Sequence, residues 1–257
     1  MWHADLNWQM TALFVLALAM MVFPMMLIAR LVSTNGPSER PFISKILLSP
    51  TTIVRSSPAG NRTRILLRVM VLIVAGASSY WLYRHGVRAF HIRGLALSYL
   101  AVPIFLLMIE IIVTVTTLCF LSGGGLFPVL HRRPWAARSI ADFWGSHWNL
   151  YVSDWFRHVI FRPLRQRSVM ALILVFAISG LLHEWVINVP LYYVTGRVLF
   201  GTMLLYFLLQ PVGILVERRF LKNRPGLMRV FVWLVIFVPS PLVLNEGMLR
   251  VLHLWPG

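Results

Sequence analysis

Twenty-one consecutive residues, Val169 to Val189, read VMALILVFAISGLLHEWVINV and carry ionisable side chains only at His183 and Glu184. As a helix, a segment of that length reaches across the ~30 Å hydrocarbon core of a bilayer. Lipid offers the backbone no hydrogen bonds, so at that depth the chain is committed to helices or a closed barrel. A histidine and a glutamate placed side by side there are costly to bury, and an intramembrane ionisable residue points first to function. Just upstream, Ser139 to Asn149 (SIADFWGSHWN) is dense in aromatic and polar groups. Together the two stretches point to a catalytic centre within the bilayer.

Composition extends this reading to the whole chain. Hydrophobic residues make up 58% and charged residues 12%, with the apolar positions in long runs. The expectation is one all-α membrane-embedded domain over residues 1–257. A net charge of +16 would suit nucleic acid, but the basic residues sit between apolar runs, with no soluble domain to present them. They read as topology signals and as contacts to anionic lipid or an anionic substrate. Cys119 is the lone cysteine, which excludes an intramolecular disulfide and a cysteine zinc site. The N-terminus lacks the basic flank and cleavage site of a signal peptide, so its long apolar run reads as a membrane helix.

Six spans stand out, at about Trp8–Ile28, Ile65–Tyr83, Leu95–Leu121, Val169–Val189, Val198–Val216 and Val230–Leu254. Shorter pieces raise the expected total to six to eight. Arg68 weakens the second span, Glu110 interrupts the third, and Pro239 and Pro241 predict a break in the last. The short apolar piece Phe42–Val54 is a further candidate for a helix lying on or dipping into the membrane. Nineteen of the twenty-four Lys and Arg fall in three loops, Arg30–Arg68, Arg132–Arg167 and Arg218–Arg229. Alternating spans put these loops on one side, expected to be cytoplasmic, and both termini on the other. Arg84, Arg88 and Arg93 break that rule.

Between the third and fourth spans, Gly123-Gly124-Gly125 supplies a flexible end and Ser139-x-x-Asp142 has the form of a capping box. Ile140, Trp144, Trp148, Tyr151, Trp155 and Val159 then recur at spacings of three and four, one face of a helix. Ser146, Asn149, Ser153 and Arg157 take the other side, and Pro163 closes the run. The pattern predicts one amphipathic or re-entrant helix with basic flanks.

His183 is the leading candidate for chemistry. Imidazole takes and returns a proton near neutral pH, and Ser179 and Gly180, one turn earlier, allow close approach of a ligand or another backbone. The structural alternative is a histidine satisfied by a neighbouring carbonyl. Asn149 is the chosen partner, because a carboxamide both donates and accepts and can hold an alcohol or polarise a carbonyl. Its alternative is a polar residue on a wet helix face. Glu184 offers a carboxylate to orient a polar network. Asp142 reads as a cap, Trp144 and Trp148 as interfacial anchors, and His147 and His158 as interfacial side chains without metal spacing. Neither a phosphate-binding glycine loop nor a nucleophile elbow is present.

Asp142-Phe-Trp-Gly-Ser-His-Trp-Asn149, continuing to Trp155-Phe-Arg-His-Val-Ile-Phe-Arg-Pro163, resembles the aromatic signature of membrane-bound O-acyltransferases. Ser179-Gly-Leu-Leu-His183-Glu184 resembles their histidine motif, and the Asp-Phe-Trp-Gly opening and His-Glu ending look most like the wax-synthase-like branch. The resemblance is specific over about Ser139–Trp185. It implies acyl transfer from a thioester, usually acyl-CoA or alternatively an acyl carrier protein, to a hydroxyl. It implies His183 as the catalytic histidine and Asn149 as the second polar residue of the site. The donor is then a co-substrate, with no permanently bound cofactor and no metal.

On this reading His183 is the general base on a lipophilic or amphipathic alcohol, which attacks the thioester directly. Asn149 positions the hydroxyl or stabilises the oxyanion, supported by Glu184, Asp142, Trp144 and Trp148. Arg157, Arg162 and Arg165 receive donor phosphates, and the thioester arm passes beside Ser179 and Gly180. Membrane lipids are the surroundings and nucleic acid is not a partner. Alternatives are a glycan, peptide or secondary-metabolite acceptor, a transporter using His183 and Glu184 as a proton relay, and a catalytically silent scaffold. Transport would be favoured by paired half-helices or an inverted repeat, and the sequence has neither.

Overall fold

The computed structural model of the chain describes residues 2–32, 62–122 and 130–256. The expectations for Phe42–Val54 and Gly123–Gly125 lie outside them. The described residues are helical throughout their regular structure. The principal helices are α1 (Trp2–Val32), α2 (Arg62–Ala89), α3 (Leu95–Ser122), α4 (Leu150–Phe156), α5 (Ser168–His183), α6 (Val189–Thr195), α7 (Thr202–Val216), α8 (Pro225–Phe237) and α9 (Glu246–Val251). Five segments among them are long and apolar enough to cross a membrane: Asp5–Met25, Leu66–Ala89, Leu95–Val115, Arg165–Thr195 and Pro225–Leu242. The chain is an all-α, multi-pass integral membrane protein. The expected fifth span, Val198–Val216, is shorter than predicted, because α7 begins only at Thr202.

The charges that weaken two spans pair with each other. Arg68 of α2 donates to Glu110 of α3 at 2.9 Å, which lets both sit on long apolar helices. The prolines act as expected: α8 stops at Phe237, a single 3-10 turn holds Ser240–Leu242, and α9 starts anew at Glu246.

The two termini meet at one end of the bundle. Thr11 Oγ1 lies 3.3 Å from Val251 O and 3.2 Å from His253 Nε2. Tyr80 Oη and Arg84 both donate to His253 O, at 3.1 and 3.3 Å. Arg84, which broke the loop-charge rule, is thus engaged in closing that end. At the opposite end, Glu217 accepts from Ile140 N at 2.7 Å and Ala141 N at 3.3 Å, capping the first turn after Ser139 from another helix.

Residues 140–161 correct the prediction of one amphipathic helix. They form a hairpin with a corner at Trp148, which is extended (φ −111°, ψ 131°), and Asn149, which is left-handed (φ 41°, ψ 59°). The first limb is the turn Ile140–Asp142 and a π-helical turn, Phe143–His147. The second is α4 and a π-helical turn, Arg157–Phe161. Arg157 donates to Gly145 O at 3.1 Å and ties the limbs together. The first limb packs against α7, where Gly213 leaves room for Ile140: a Cβ on that glycine would stand 2.7 Å from Ile140 Cδ1. The second limb packs against α1 and α5, and Trp155 Nε1 donates to Met25 O at 2.9 Å. The hairpin is therefore wedged among α1, α5 and α7.

Candidate active site

His183 is the last residue of α5, fifteen positions after Ser168, so a straight helix sets it ~22 Å from the start of its span. That depth is the interior of a bilayer. Its Nδ1 lies 2.7 Å from Ser179 O. A carbonyl only accepts, so Nδ1 carries the proton and the lone pair resides on Nε2. Among the described residues nothing bonds to Nε2. The ring lies 4.4 Å from that of Phe207 on α7, at 38°. The two readings of this histidine therefore coexist: one nitrogen is satisfied by a carbonyl, and that bond fixes the tautomer in which the other is a proton acceptor.

Glu184 opens a π-helical turn, Glu184–Asn188, that separates α5 from α6. It is buried and turned away from His183, towards the start of α7. Its Oε1 accepts from Met203 N at 2.8 Å and Leu204 N at 3.0 Å. Four N–H groups at a helix start lack intrahelical partners, and here a carboxylate from a neighbouring helix takes two of them. Glu184 thus clamps the end of α5 to the beginning of α7, the helix that carries Phe207. Glu217 repeats the device at the other end of α7, also at the first residue of a π turn.

Asn149 is the hairpin corner and the N-cap of α4. Its left-handed backbone is one that asparagine tolerates better than most residues. Its Oδ1 accepts from Val152 N at 3.4 Å. Among the described residues no hydrogen bond joins Asn149 to His183. The helix breaks between His147 and Asn149, so the two do not share one helical wheel. His147 is half-buried, not interfacial: its Nδ1 contacts Arg132 O and its Nε2 lies 3.3 Å from Asp142 Oδ2. His158 is tied to Asp154 through Nδ1. Asp142 completes a local cap, receiving Arg138 N at 3.0 Å while its own N–H donates to Ser139 Oγ at 3.0 Å.

Trp144 and Trp148 are not interfacial anchors. Trp144 Nε1 donates to Gln210 Oε1 at 3.1 Å, and its ring stands 5.8 Å from Phe176 and 5.9 Å from Phe207. Trp148 stacks on Phe143 at 5.6 Å. An aromatic layer thus links the hairpin to the imidazole through Phe207. Gln210 and Phe207 escaped the sequence reading, since they lie on a different span and only tertiary packing brings them here. His131 escaped it too, within a basic run read as topology. Its ring meets Trp148 edge-on at 4.5 Å, and among the described residues neither nitrogen has a hydrogen-bond partner. Burial lowers its pKa, opposed by the charge of Glu110. Backbone bonds hold it beside the corner: Leu150 N donates to Leu130 O and Arg132 N to His147 O, both at 2.9 Å. Tyr151 Oη is likewise buried without a partner among the described residues, and burial raises its pKa.

Gly180 corrects the expected donor passage. A Cβ there would stand 2.8 Å from Leu204 Cα and 3.3 Å from Phe207 Cβ, so this glycine is the point where α5 and α7 touch. The space beside it belongs to α7. An open apolar groove of about 350 Å³ lies instead on the neighbouring face of α5, lined by Met21 and Pro24 of α1, Trp155 of α4, Ile178, Leu182 and Trp185. Arg157, Arg162 and Arg165 are all exposed, Arg157 being committed to the hairpin.

Residues 127–209, which include His131, Asn149, His183, Glu184 and Phe207, match the model of the membrane bound O-acyl transferase family. The chain is 36% identical over 129 residues to an Arabidopsis thaliana protein named "Probable long-chain-alcohol O-fatty-acyltransferase 7", covering 46% of this chain and 35% of that one. It is 26% identical over 177 residues to the long-chain-alcohol O-fatty-acyltransferase of Simmondsia chinensis, covering 58% of this chain and 49% of the relative. The chain thus spans between a third and a half of the length of these two curated relatives. No solved structure matches it.

Proposed function

We propose that this chain, whose residues 127–209 match the membrane bound O-acyl transferase family model, is a member of that family in its wax-synthase-like branch and transfers a fatty acyl group from a thioester donor to the hydroxyl of a long-chain alcohol. The observation that carries the reading is His183, with Nδ1–H committed to Ser179 O and Nε2 left as acceptor at mid-span. The alcohol gives its proton to Nε2 as its oxygen bonds to the thioester carbonyl carbon. The C–S bond then breaks, and the imidazolium returns the proton to the leaving sulfur. Asn149 is assigned the oxyanion that develops on the carbonyl, a role for which carboxamide N–H groups are suited. The acyl donor is acyl-CoA or an acyl carrier protein thioester. The names of the relatives support the alcohol, and the groove beside Leu182 supports an aliphatic chain lying along α5.

The purified protein is expected to convert a radiolabelled long-chain acyl-CoA and a long-chain alcohol into the ester. Transfer only to glycan or peptide hydroxyls would overturn the acceptor, and no transfer to any hydroxyl would overturn the function.

The loop charges support a cytoplasmic side for the basic end of the bundle, with the hairpin and Lys222, and the opposite side for the joined termini. In a Cys119→Ser background, an impermeant thiol reagent applied to intact cells is expected to label His3→Cys and spare Lys222→Cys. The opposite pattern inverts the topology.

A further inference from the structure

Beyond Glu184 lies a buried polar cluster to which the acyl-transfer chemistry assigns no role. Asn188 is fully buried, and its Nδ2 donates to Glu184 Oε2 at 2.6 Å and to Leu199 O at 3.1 Å. Its Oδ1 accepts from Asn245 Nδ2 at 3.1 Å. Asn245 also donates to Thr202 Oγ1 at 3.0 Å, and its Oδ1 caps α9 by accepting from Met248 N at 3.3 Å. Thr202 Oγ1 passes its own proton to Leu199 O at 2.9 Å. Gly247 lets α9 lie over the π turn: a Cβ there would stand 2.8 Å from Ile187 Cγ2 and 3.4 Å from Asn188 Oδ1.

Every polar atom of the two carboxamides is used. Both of Glu184's oxygens receive only N–H donors, the arrangement that suits an acceptor-only carboxylate. Buried polar networks stabilise little over apolar packing of the same shape, and they specify one geometry when fully satisfied. The geometry specified here flanks the imidazole on two sides. Glu184 is the residue next to His183, so holding its side chain holds the turn on which His183 ends. Through Met203 N and Leu204 N the same carboxylate holds the start of α7, whose Phe207 packs on the ring.

We infer that Asn188 and Asn245 are positioning residues for His183, acting through Glu184. The C-terminal helix α9, more than sixty residues away in sequence, thereby sets the orientation of the proton-accepting nitrogen. The inference rests on His183 as the base. Among the described residues neither asparagine hydrogen-bonds to His183 itself.

Asn245→Ser separates positioning from mere stapling. Serine caps a helix about as well as asparagine, so α9 keeps its start, but the amide donors to Asn188 and Thr202 are gone. The variant is expected to purify folded, with KM for both substrates unchanged and kcat lowered roughly tenfold to a hundredfold, the scale of a small misplacement of a catalytic group. The C2 hydrogen-exchange profile of His183, followed by mass spectrometry, is expected to move with kcat. Thr202→Ala, which removes one acceptor each of Asn245 and Asn188 and leaves the bonds of Glu184 in place, should show the same signature more weakly and serves if Asn245→Ser does not fold. A lowered melting temperature with kcat and the His183 exchange profile unchanged would make the cluster a staple and overturn the inference. Movement of the exchange profile while His183→Ala still turns over would uphold the positioning and reject His183 as the base.

Discussion

His183→Ala is expected to stop ester formation by a protein that still folds. The imidazole makes one hydrogen bond, to a carbonyl one turn back on its own helix, and one ring contact with Phe207. The hydrogen bond is local, and the α5–α7 contact to which the ring adds is also held by Glu184 and by the close approach at Gly180, so its removal costs little architecture. It does remove the Nε2 lone pair. Loss of a general base costs ~10² to 10⁴ in rate, and neither histidine beside the hairpin corner stands in for it. His147 has both nitrogens engaged, and His131 lies across the hairpin beside Trp148. Turnover of labelled acyl-CoA and alcohol, beside a thermal melt of the same preparation, checks the expectation. A well-folded variant with near-normal turnover removes His183 from the chemistry.

The depth at which His183 and Glu184 sit was legible because lipid leaves so little freedom. A polar pair in an apolar run is conspicuous, and a helix of that length has one place to go. The partners of Glu184 were not legible, because Met203 and Leu204 offer only backbone N–H groups, which every residue has. The small pair Ser179-Gly180 announced a close approach, but sequence does not say whether a ligand or a helix approaches. It is α7. The aromatic repeat from Ile140 to Val159 reads as a helix because spacings of three and four are kept on both sides of Asn149, and no Gly or Pro marks the corner. Two π turns shift the register that such spacings assume, so the faces drawn on one wheel are not the faces in space. The buried network of Asn188 and Asn245 joins residues too far apart for any local pattern to reveal.

Asn149 serves the fold and, on the present reading, the chemistry, and two substitutions separate these roles. Asn149→Ala removes the side chain that accepts from Val152 N, so α4 loses its cap at a cost of about 1 kcal/mol. It also places an alanine in a left-handed conformation, φ 41°, that alanine resists. Asn149→Asp keeps an oxygen for Val152 N, tolerates the same backbone and favours a helix N-terminus. What the aspartate lacks is the carboxamide N–H pair. If Asn149 stabilises the oxyanion, both variants lose activity, by roughly 10² to 10³ for one lost donor. Only the alanine variant melts appreciably lower. His147→Ala, which unties Arg132 and Asp142 but carries no free nitrogen to begin with, is expected to lower the melting temperature and leave kcat within a few-fold. The decisive comparison is kcat of Asn149→Asp against its melting curve. An aspartate variant that turns over normally would leave Asn149 as the corner of the hairpin and nothing more, and the oxyanion would need another donor.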